Sequence, residues 1–214
     1  MTSIGTSAFY GCRQLEFIVI PDTVTSIGNS TFRGCGSLFY AVLGNGITSV
    51  GNSAFQGCSS LAYIEIPDTV TSIGDSAFQD CISLVTVVFG KNIETIGESA
   101  FWGCTSLASA DIPDSVTSIA EAAFCGCSSM TSLKLSEQLT SVGKNVFLNC
   151  ESLISVVIPE EVTIIERSAF QGCSSLVSAT FGNKLTSISV HAFSGCISLI
   201  TLDVPDTVTE IRQS

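Results

Sequence analysis

The sequence is poor in charged residues and lacks long apolar runs. Only 13% of its 214 residues are charged, and 19 acidic residues outnumber 8 basic ones, which leaves a formal net charge of −11. Phosphate backbones and anionic membrane surfaces repel such a chain, so we expect no nucleic acid partner. Because no run of about 18 or more apolar residues occurs, we also expect no direct membrane insertion.

Histidine is almost absent. His191 is the only one, and it lies at a variable position before Ala192. A Ser/His/Asp or Cys/His nucleophile system therefore cannot recur along the chain. The glycine-rich corners, such as residues 44–46, do not follow the strand-loop-helix fingerprint of nucleotide sites. We predict that the protein is not an enzyme, has no catalytic or cofactor-binding residues and needs no cofactor.

What the chain has in abundance is self-similarity. A cysteine follows each member of one phenylalanine series by three residues, and a leucine, or once Met130, follows by six. The phenylalanines recur every 23 residues, at Phe9, Phe32, Phe55, Phe78, Phe101, Phe124, Phe147, Phe170 and Phe193. A strict period of about 20 to 29 residues is typical of a solenoid, whose repeats bury their apolar faces against one another. We predict a single solenoid of nine coils over residues 1–214.

Each coil contains two β-prone stretches and one turn. In the segment 61–66, apolar residues at the first, fourth and sixth places indicate a strand with one buried face. Such strands would stack into a parallel sheet with about 4.8 Å between coils. The phrase at 70–73 indicates a short strand or a 3₁₀-like extended turn on the opposite side, and its β-branched residues favour short strands in several coils. A serine such as Ser53 is placed to cap a single helical turn before the phenylalanine.

The corner after the first strand alternates between two residue types. Proline occupies it in odd coils, whereas even coils have glycine or, once, Ser136; the series reads Pro21, Gly44, Pro67, Gly90, Pro113, Ser136, Pro159, Gly182 and Pro205. Proline fixes φ and lacks an N–H donor, whereas glycine permits other turns. We therefore expect corners of alternating shape and a structural unit of two 23-residue coils.

The recurring cysteines and the acidic corner residues could both bind metal ions by residue type, but their spacing favours structural roles. Equivalent cysteines in neighbouring coils would lie side by side, too far apart to bridge without strain and in a row that cannot converge on zinc. We predict buried thiols that pack as small hydrophobes, with Cys125, off the series, as a candidate exposed thiol. The acidic corner residues Asp22, Asp68, Asp114, Glu160 and Asp206 recur only in alternate coils. Their spacing does not suit calcium, so we predict a solvated turn row and no metal site.

The repeated phrase at residues 55–78, Phe-x-Gly-Cys-x-Ser-Leu followed by Ile-x-Ile-Pro-Asp-x-Val-Thr-Ser-Ile-Gly-x-Ser-Ala-Phe, resembles the BspA-like leucine-rich repeat family. The resemblance covers essentially the whole chain. It implies a right-handed, curved, mainly β solenoid with the parallel sheet on its concave face and short strands or turns opposite. It also implies a cell-surface or secreted protein used in adhesion, and it supplies no catalytic residues.

The compartment and the completeness of the chain stay open at this stage. No secretory leader opens the sequence, which would suit a cytoplasmic protein, whereas the resemblance favours the surface or secretion. Both ends fall inside the repeated phrase, at residues 1–5 and at 210–212. Since solenoids normally carry polar caps, we expect a fragment or a chain without its caps. End-to-end stacking is one option for an otherwise undetermined oligomeric state.

The open face of the predicted sheet is where coils differ. In the first three coils it presents apolar and aromatic side chains, and these are our candidate ligand-binding residues: Phe17, Val19, Tyr40, Val42, Tyr63 and Glu65. An exposed aromatic patch indicates either a partner or a covering segment of the same protein. We predict a non-enzymatic adhesion scaffold that binds protein or glycan through the concave sheet. The alternative is a module of a larger multidomain protein whose activity lies elsewhere.

Overall fold

A computed structural model describes residues 2–211 as nineteen short β-strands joined by turns, with no helix. One series lines one side of the solenoid and is called the main sheet, although its pairing is broken after β8 and after β12: β2 (Phe17–Val19), β4 (Tyr40–Val42), β6 (Tyr63–Glu65), β8 (Thr86–Val88), β10 (Ser109–Asp111), β12 (Ser132–Lys134), β14 (Ser155–Val157), β16 (Ser178–Thr180) and β18 (Thr201–Leu202). The other series forms the second sheet: β1 (Ser3–Ile4), β3 (Ser26–Ile27), β5 (Ser49–Val50), β7 (Ser72–Ile73), β9 (Thr95–Ile96), β11 (Ser118–Ile119), β13 (Ser141–Val142), β15 (Ile164–Ile165), β17 (Ser187–Ile188) and β19 (Glu210–Ile211). Across residues 2–211, no helix has the length and apolar character needed to cross a membrane.

All strand pairs are parallel and join residues 23 positions apart, as in Ser49↔Ser72. The predicted parallel β solenoid of about nine turns is confirmed. Within a coil, Leu61, Ile64, Ile66, Val70 and Ile73 are all buried, as their spacing predicts. The solvent-facing side of the main-sheet strands is called the main face below.

The phenylalanine series forms a continuous stacked column through the core. Neighbouring ring centroids lie between 5.1 Å, for Phe101 and Phe124, and 5.7 Å, for Phe124 and Phe147. The rings are nearly parallel, with interplanar angles between 2° and 19°. Each stacked pair of this kind stabilises the fold by about 0.5–1.5 kcal/mol, in addition to the stabilisation that comes from burying the rings. The column is therefore a main source of adhesion between coils.

The stretch before each column phenylalanine is a run of β-turns, so the predicted capping serine and helical turn are wrong. Ser53 has a φ of 55° and Gly57 one of 71°, whereas a helix cap has extended dihedrals. The Gln56 N–H donates to the Ser53 carbonyl at 3.2 Å, but the Phe55 N–H donates across to Ala77 of the next coil at 2.7 Å. Because alternate N–H groups bond to the next coil, consecutive helical bonds cannot form.

Ala122 occupies the left-handed position that serine fills in most coils, with a φ of 57°. In this conformation the Cβ comes too close to the following carbonyl oxygen, which lowers stability by about 1–2 kcal/mol. Glycine has no Cβ and avoids this clash, but part of the gain in stability is lost because glycine gives up more backbone entropy on folding. We expect Ala122→Gly to raise the free energy of unfolding by about 0.5–1 kcal/mol, measured by urea denaturation. The neighbouring Ala123→Gly is the control, since Ala123 is buried without a positive φ and should lose stability. Destabilisation by both variants would contradict the argument.

The main sheet is built from pairs of coils, as the proline and glycine alternation predicts. Three residues pair in β2 with β4, β6 with β8, β10 with β12 and β14 with β16. By contrast, β4 and β6 pair only through Tyr40 and Tyr63, β16 and β18 pair through two residues, and β8 is not paired with β10 or β12 with β14. In each odd coil that is followed by an even coil, the N–H of the residue before proline donates to a carbonyl of that next coil, as Ile66 does to Val88 at 2.8 Å. The two-coil unit is therefore visible as alternating strong and weak pairing.

Glycine in the even coils allows close approach to the proline corner. A Cβ on Gly44 would lie 2.5 Å from the Pro21 carbonyl carbon, closer than real Cβ atoms come. Ser136 takes this place in the sixth coil, where it is buried and donates through Oγ to the Val116 carbonyl at 2.6 Å. The second sheet is interrupted at the same junction, because β11 and β13 are not paired. A serine in place of glycine thus coincides with the break in the second sheet, although β10 and β12 of the main sheet pair fully at this junction.

Candidate functional site

The predicted ligand-binding residues lie on one surface at the start of the main sheet, where all but the half-buried Val42 are exposed. Here it is called the aromatic patch: Phe17, Val19, Tyr40, Val42, Tyr63 and Glu65. Phe17, Tyr40 and Tyr63 have 62%, 45% and 37% of their residue surface exposed. The residues between them on each strand, Ile18, Ala41 and Ile64, face the core, because successive residues of a strand point to opposite sides.

The three aromatic residues form an uninterrupted row. Phe17 pairs with Tyr40, Tyr40 with Tyr63, and Tyr63 with Thr86 of the next strand. Since paired parallel strands lie about 4.8 Å apart, the rings sit side by side across β2, β4 and β6. The row ends at Thr86, and beyond it the same position carries only hydroxyl side chains: Ser109, Ser132, Ser155, Ser178 and Thr201. The main face is therefore aromatic at one end and polar along the rest of this row.

Part of the aromatic patch encloses a shallow depression of about 220 Å³. Tyr40, Val42, Tyr63 and Glu65 line it, together with neighbours that include Asn45 and Pro67. Val19 instead lines a separate apolar hollow of about 240 Å³, together with Phe9 and Ile18 of its own coil. The structure thus brings four of the six predicted residues together around one depression.

Glu65 is the only charged group of the depression. Its Oε2 accepts a hydrogen bond from the Tyr63 Oη at 3.2 Å. Partial desolvation, and then the nearby Glu65 carboxylate, raise the pKa of Tyr63, so the phenol keeps the proton that it donates. No ion pair of residues 2–211 includes Glu65, whereas Asp111 on the same face pairs with Lys134 at 3.5 Å. The depression therefore combines two tyrosine rings with an uncompensated carboxylate.

Exposed apolar side chains that were not among the predicted ligand-binding residues lie at the entrance to the last main strands. Ile154, Val177 and Ile200 occupy the position just before a main strand and are exposed, and Val157 is exposed beside them. The sequence could have indicated them, because aliphatic residues recur at the position just before a main strand. They lie in the last three coils, well separated along the solenoid from the aromatic patch.

The cysteines that follow the column phenylalanines by three residues are buried, as predicted, except Cys12, and the buried ones also form hydrogen bonds that the sequence did not suggest. The Sγ of Cys81 donates to the Phe55 carbonyl at 3.2 Å, and Cys58 donates to Phe32 at 3.1 Å. The same contact recurs in every later coil up to Cys196. Burial raises the pKa of these thiols, to about 12 for Cys173, so they stay protonated. The cysteine is therefore a small core residue with a donor that links successive coils.

Cys125 is not the exposed thiol that its place off the series predicts. It is only 8% exposed, and burial raises its pKa. Trp102, at the same position of the preceding coil, interacts with the Cys125 thiol, so the prediction of an exposed thiol is wrong. Among the described cysteines, Cys12 is the exposed one, and all ten are free thiols. Residues 2–211 contain no group of three His, Cys, Asp or Glu side chains that could hold a metal ion.

The acidic corner residues face solvent, and their carboxylates also accept hydrogen bonds from the next coil. The Asn45 N–H donates to Asp22 Oδ1 at 2.7 Å, and the Lys91 N–H donates to Asp68 Oδ1 at 2.9 Å. Asp114 and Glu160 accept the equivalent bonds in later coils. Each bond joins a proline coil to the glycine or serine coil that follows it. The acidic row therefore holds the two coils of a pair together.

Comparison with known proteins identifies the family. The sequence matches the BspA type leucine rich repeat region in six copies, over residues 1–108 and 94–214. A leucine rich cell surface protein from Faecalibacterium prausnitzii A2-165 is 30% identical, over 93% of this chain and 62% of that protein, with a TM-score of 0.57. This chain therefore spans less than two thirds of that relative.

Two further solved structures share the fold. A leucine-rich repeat protein from Eubacterium ventriosum is 21% identical over 100% of this chain and 78% of its own, with a TM-score of 0.69. The pneumococcal vaccine antigen PcpA is 22% identical over 97% of this chain and 57% of its own, with a TM-score of 0.68. No curated protein matches the sequence. Repeats of this fold are typically non-catalytic scaffolds, and the chain belongs to the BspA type leucine-rich repeat family.

Proposed function

We propose that this protein is an adhesion scaffold that binds a protein or glycan partner through its main face. The observation that carries the proposal is the exposed row of Phe17, Tyr40 and Tyr63 across three paired strands. Contiguous exposed aromatic side chains on a soluble domain mark interaction sites, and aromatic residues dominate binding energy at such sites. In this proposal the row anchors the partner, and the hydroxyl-rich remainder of the main face adds weaker contacts.

The rigidity of the support favours binding. Each ring stands on a paired strand, Ala41 and Ile64 between the rings are buried, and Ile18 packs partly buried against the core. A surface of this kind loses little conformational freedom when a partner docks, so less of the contact energy is spent on ordering it. The repeat architecture thus provides a preorganised platform for the partner.

A position at the cell surface fits this role. The Faecalibacterium prausnitzii protein, 30% identical to this chain, is a leucine rich cell surface protein. We propose the same location here, where an adhesion scaffold would meet matrix proteins, glycans or other cells.

The proposal is tested by removing the aromatic row. We expect the combined variant Phe17→Ala, Tyr40→Ala and Tyr63→Ala to bind at least about tenfold more weakly, as loss of two or three anchor residues predicts. The measurement is retention of wild-type and variant protein on arrays of purified matrix proteins and of glycans, followed by titration of each ligand found.

The matched control changes the same strand position in the next three coils, as Thr86→Ala, Ser109→Ala and Ser132→Ala. This control should retain the ligand, and circular dichroism should show that both variants fold. Equal retention of a ligand by the wild type and the aromatic variant would refute the proposed site. A ligand lost only in the control would place the site further along the main face.

A further inference from the structure

We propose that the depression beside Glu65 receives a lysine or arginine side chain from a basic segment of a protein partner. This inference rests on the proposed function and specifies its ligand. It commits to a cationic protein segment, and it makes a neutral glycan one of the outcomes that the experiment can return.

Ion pairs with lysine compensate some carboxylates of the chain, and Glu65 is not among them. Each of the chain's four lysines forms an ion pair with the acidic residue one coil earlier: Lys91 with Asp68, Lys134 with Asp111, Lys144 with Glu121 and Lys184 with Glu161. On the main face, Asp111 is compensated by Lys134 at the paired position of the next strand. The residue paired with Glu65 is Val88. The cation that the chain supplies to Asp111 is therefore missing at Glu65.

The shape and lining of the depression also favour a cationic side chain. The Tyr40 and Tyr63 rings stand on paired residues beside the carboxylate, and Val42 and Pro67 add apolar surface. A lysine or arginine side chain has an apolar stem and a cationic end, so the stem can pack on the rings while the end reaches the carboxylate. The face of an aromatic ring also attracts a cation directly. The hydrogen bond from the Tyr63 Oη holds the carboxylate at the wall of the depression.

The charge of the whole chain favours a basic partner as well. With a net charge of −11, the protein attracts basic partners over a distance of about one Debye length, and this attraction speeds encounter. The two arginines of the first three coils do not line the depression, and the Arg33 guanidinium lies over the Tyr10 ring at 6.0 Å. Nothing cationic among the residues that line the depression competes with an incoming side chain.

The test uses a short probe and a pair of charge-matched variants. The probe is the peptide acetyl-Gly-Ser-Lys-Gly-Lys-Ser-Gly-amide, titrated into labelled protein while the ring signals of Tyr40 and Tyr63 are followed by NMR. The comparison probes are the same peptide with both lysines acetylated and the neutral oligosaccharide maltohexaose. The variants are Glu65→Gln and Asp111→Asn, which remove one negative charge each from the same face.

We expect the lysine peptide to shift the tyrosine signals of the wild type and the acetylated peptide to have no effect. Glu65→Gln should weaken the peptide at least about tenfold, and Asp111→Asn less than twofold, because Lys134 already compensates Asp111. Equal weakening by the two variants would mean non-specific attraction and would overturn the inference. Absence of any peptide shift would overturn it as well.

The outcome also separates this inference from the proposed function. If maltohexaose shifts the tyrosine signals and Glu65→Gln binds it as the wild type does, the cationic ligand is wrong while the aromatic patch remains a binding site. If the aromatic triple variant retains every ligand found on the arrays, the aromatic patch is not the binding site, and the proposed function is refuted independently of the cationic ligand.

Discussion

Phe101→Ala is expected to lower the free energy of unfolding by about 4 kcal/mol, the largest effect of any single truncation considered. The Phe101 side chain is 0% exposed and lies 5.2 Å from Phe78 and 5.1 Å from Phe124, centroid to centroid. It also makes an edge contact with Phe89 at 5.6 Å. Truncation would remove these contacts and leave a cavity between coils whose backbones are held by their own hydrogen bonds, so the site cannot collapse to fill it.

The measurement is urea denaturation followed by circular dichroism, with Phe39→Ala as the control. Phe39 is the same residue type but is 52% exposed at the edge of the main sheet, so its truncation should cost less than about 1 kcal/mol. Because each coil contacts only its neighbours, the Phe101 variant should also unfold in a broader transition, as the two halves of the solenoid become less coupled. A loss no larger than that of the control would show that the column does not hold the coils together.

Gly90→Ala is expected to lower the free energy of unfolding by about 3 kcal/mol, although it adds only one methyl group. The new Cβ would overlap the Pro67 carbonyl oxygen and lie 2.7 Å from the Pro67 carbonyl carbon. These are backbone atoms of the previous coil, which cannot move aside as the end of a flexible side chain can. The fourth coil would have to shift away from the third and disturb the pairing of β6 with β8.

Gly36→Ala is the matched control for this second prediction. A Cβ there would lie 3.5 Å from the Ser59 Oγ, an ordinary contact, and should change stability by less than about 0.5 kcal/mol. Hydrogen exchange adds a local measurement, since the Ile66 N–H that donates to Val88 should lose protection in the Gly90 variant alone. Tolerance of alanine at both positions would contradict the role assigned to glycine in the two-coil unit.

Most of the fold was predictable because its determinants are local and repeated. The spacing of Leu61, Ile64 and Ile66 identifies a buried strand face, and the spacing of Val70 and Ile73 identifies the second strand. The alternation of proline and glycine also predicted the pairing of coils, because both residues act on the backbone directly.

The errors and omissions concern contacts between coils. Ser53 looks like a helix cap by residue type, but its φ is positive because alternate N–H groups bond to the neighbouring coil. Cys125 looked exposed because it is out of register, yet its environment is set by the coils on either side. The hydrogen bonds of the cysteine thiols join residues 26 positions apart, and those of the acidic corners join residues 23 apart. Sequence spacing does not show which atoms face each other over those distances.

The candidate site divides in the same way. The sequence by itself determined the solenoid, the inward and outward positions, and the six residues of the aromatic patch, because side-chain direction alternates along each strand. Only the tertiary structure decided that Tyr40, Val42, Tyr63 and Glu65 share a depression, that Val19 lies apart from it, and that Glu65 has no cation beside it. Those facts depend on which side chains of neighbouring coils are brought side by side, and the stacking of the coils sets that arrangement.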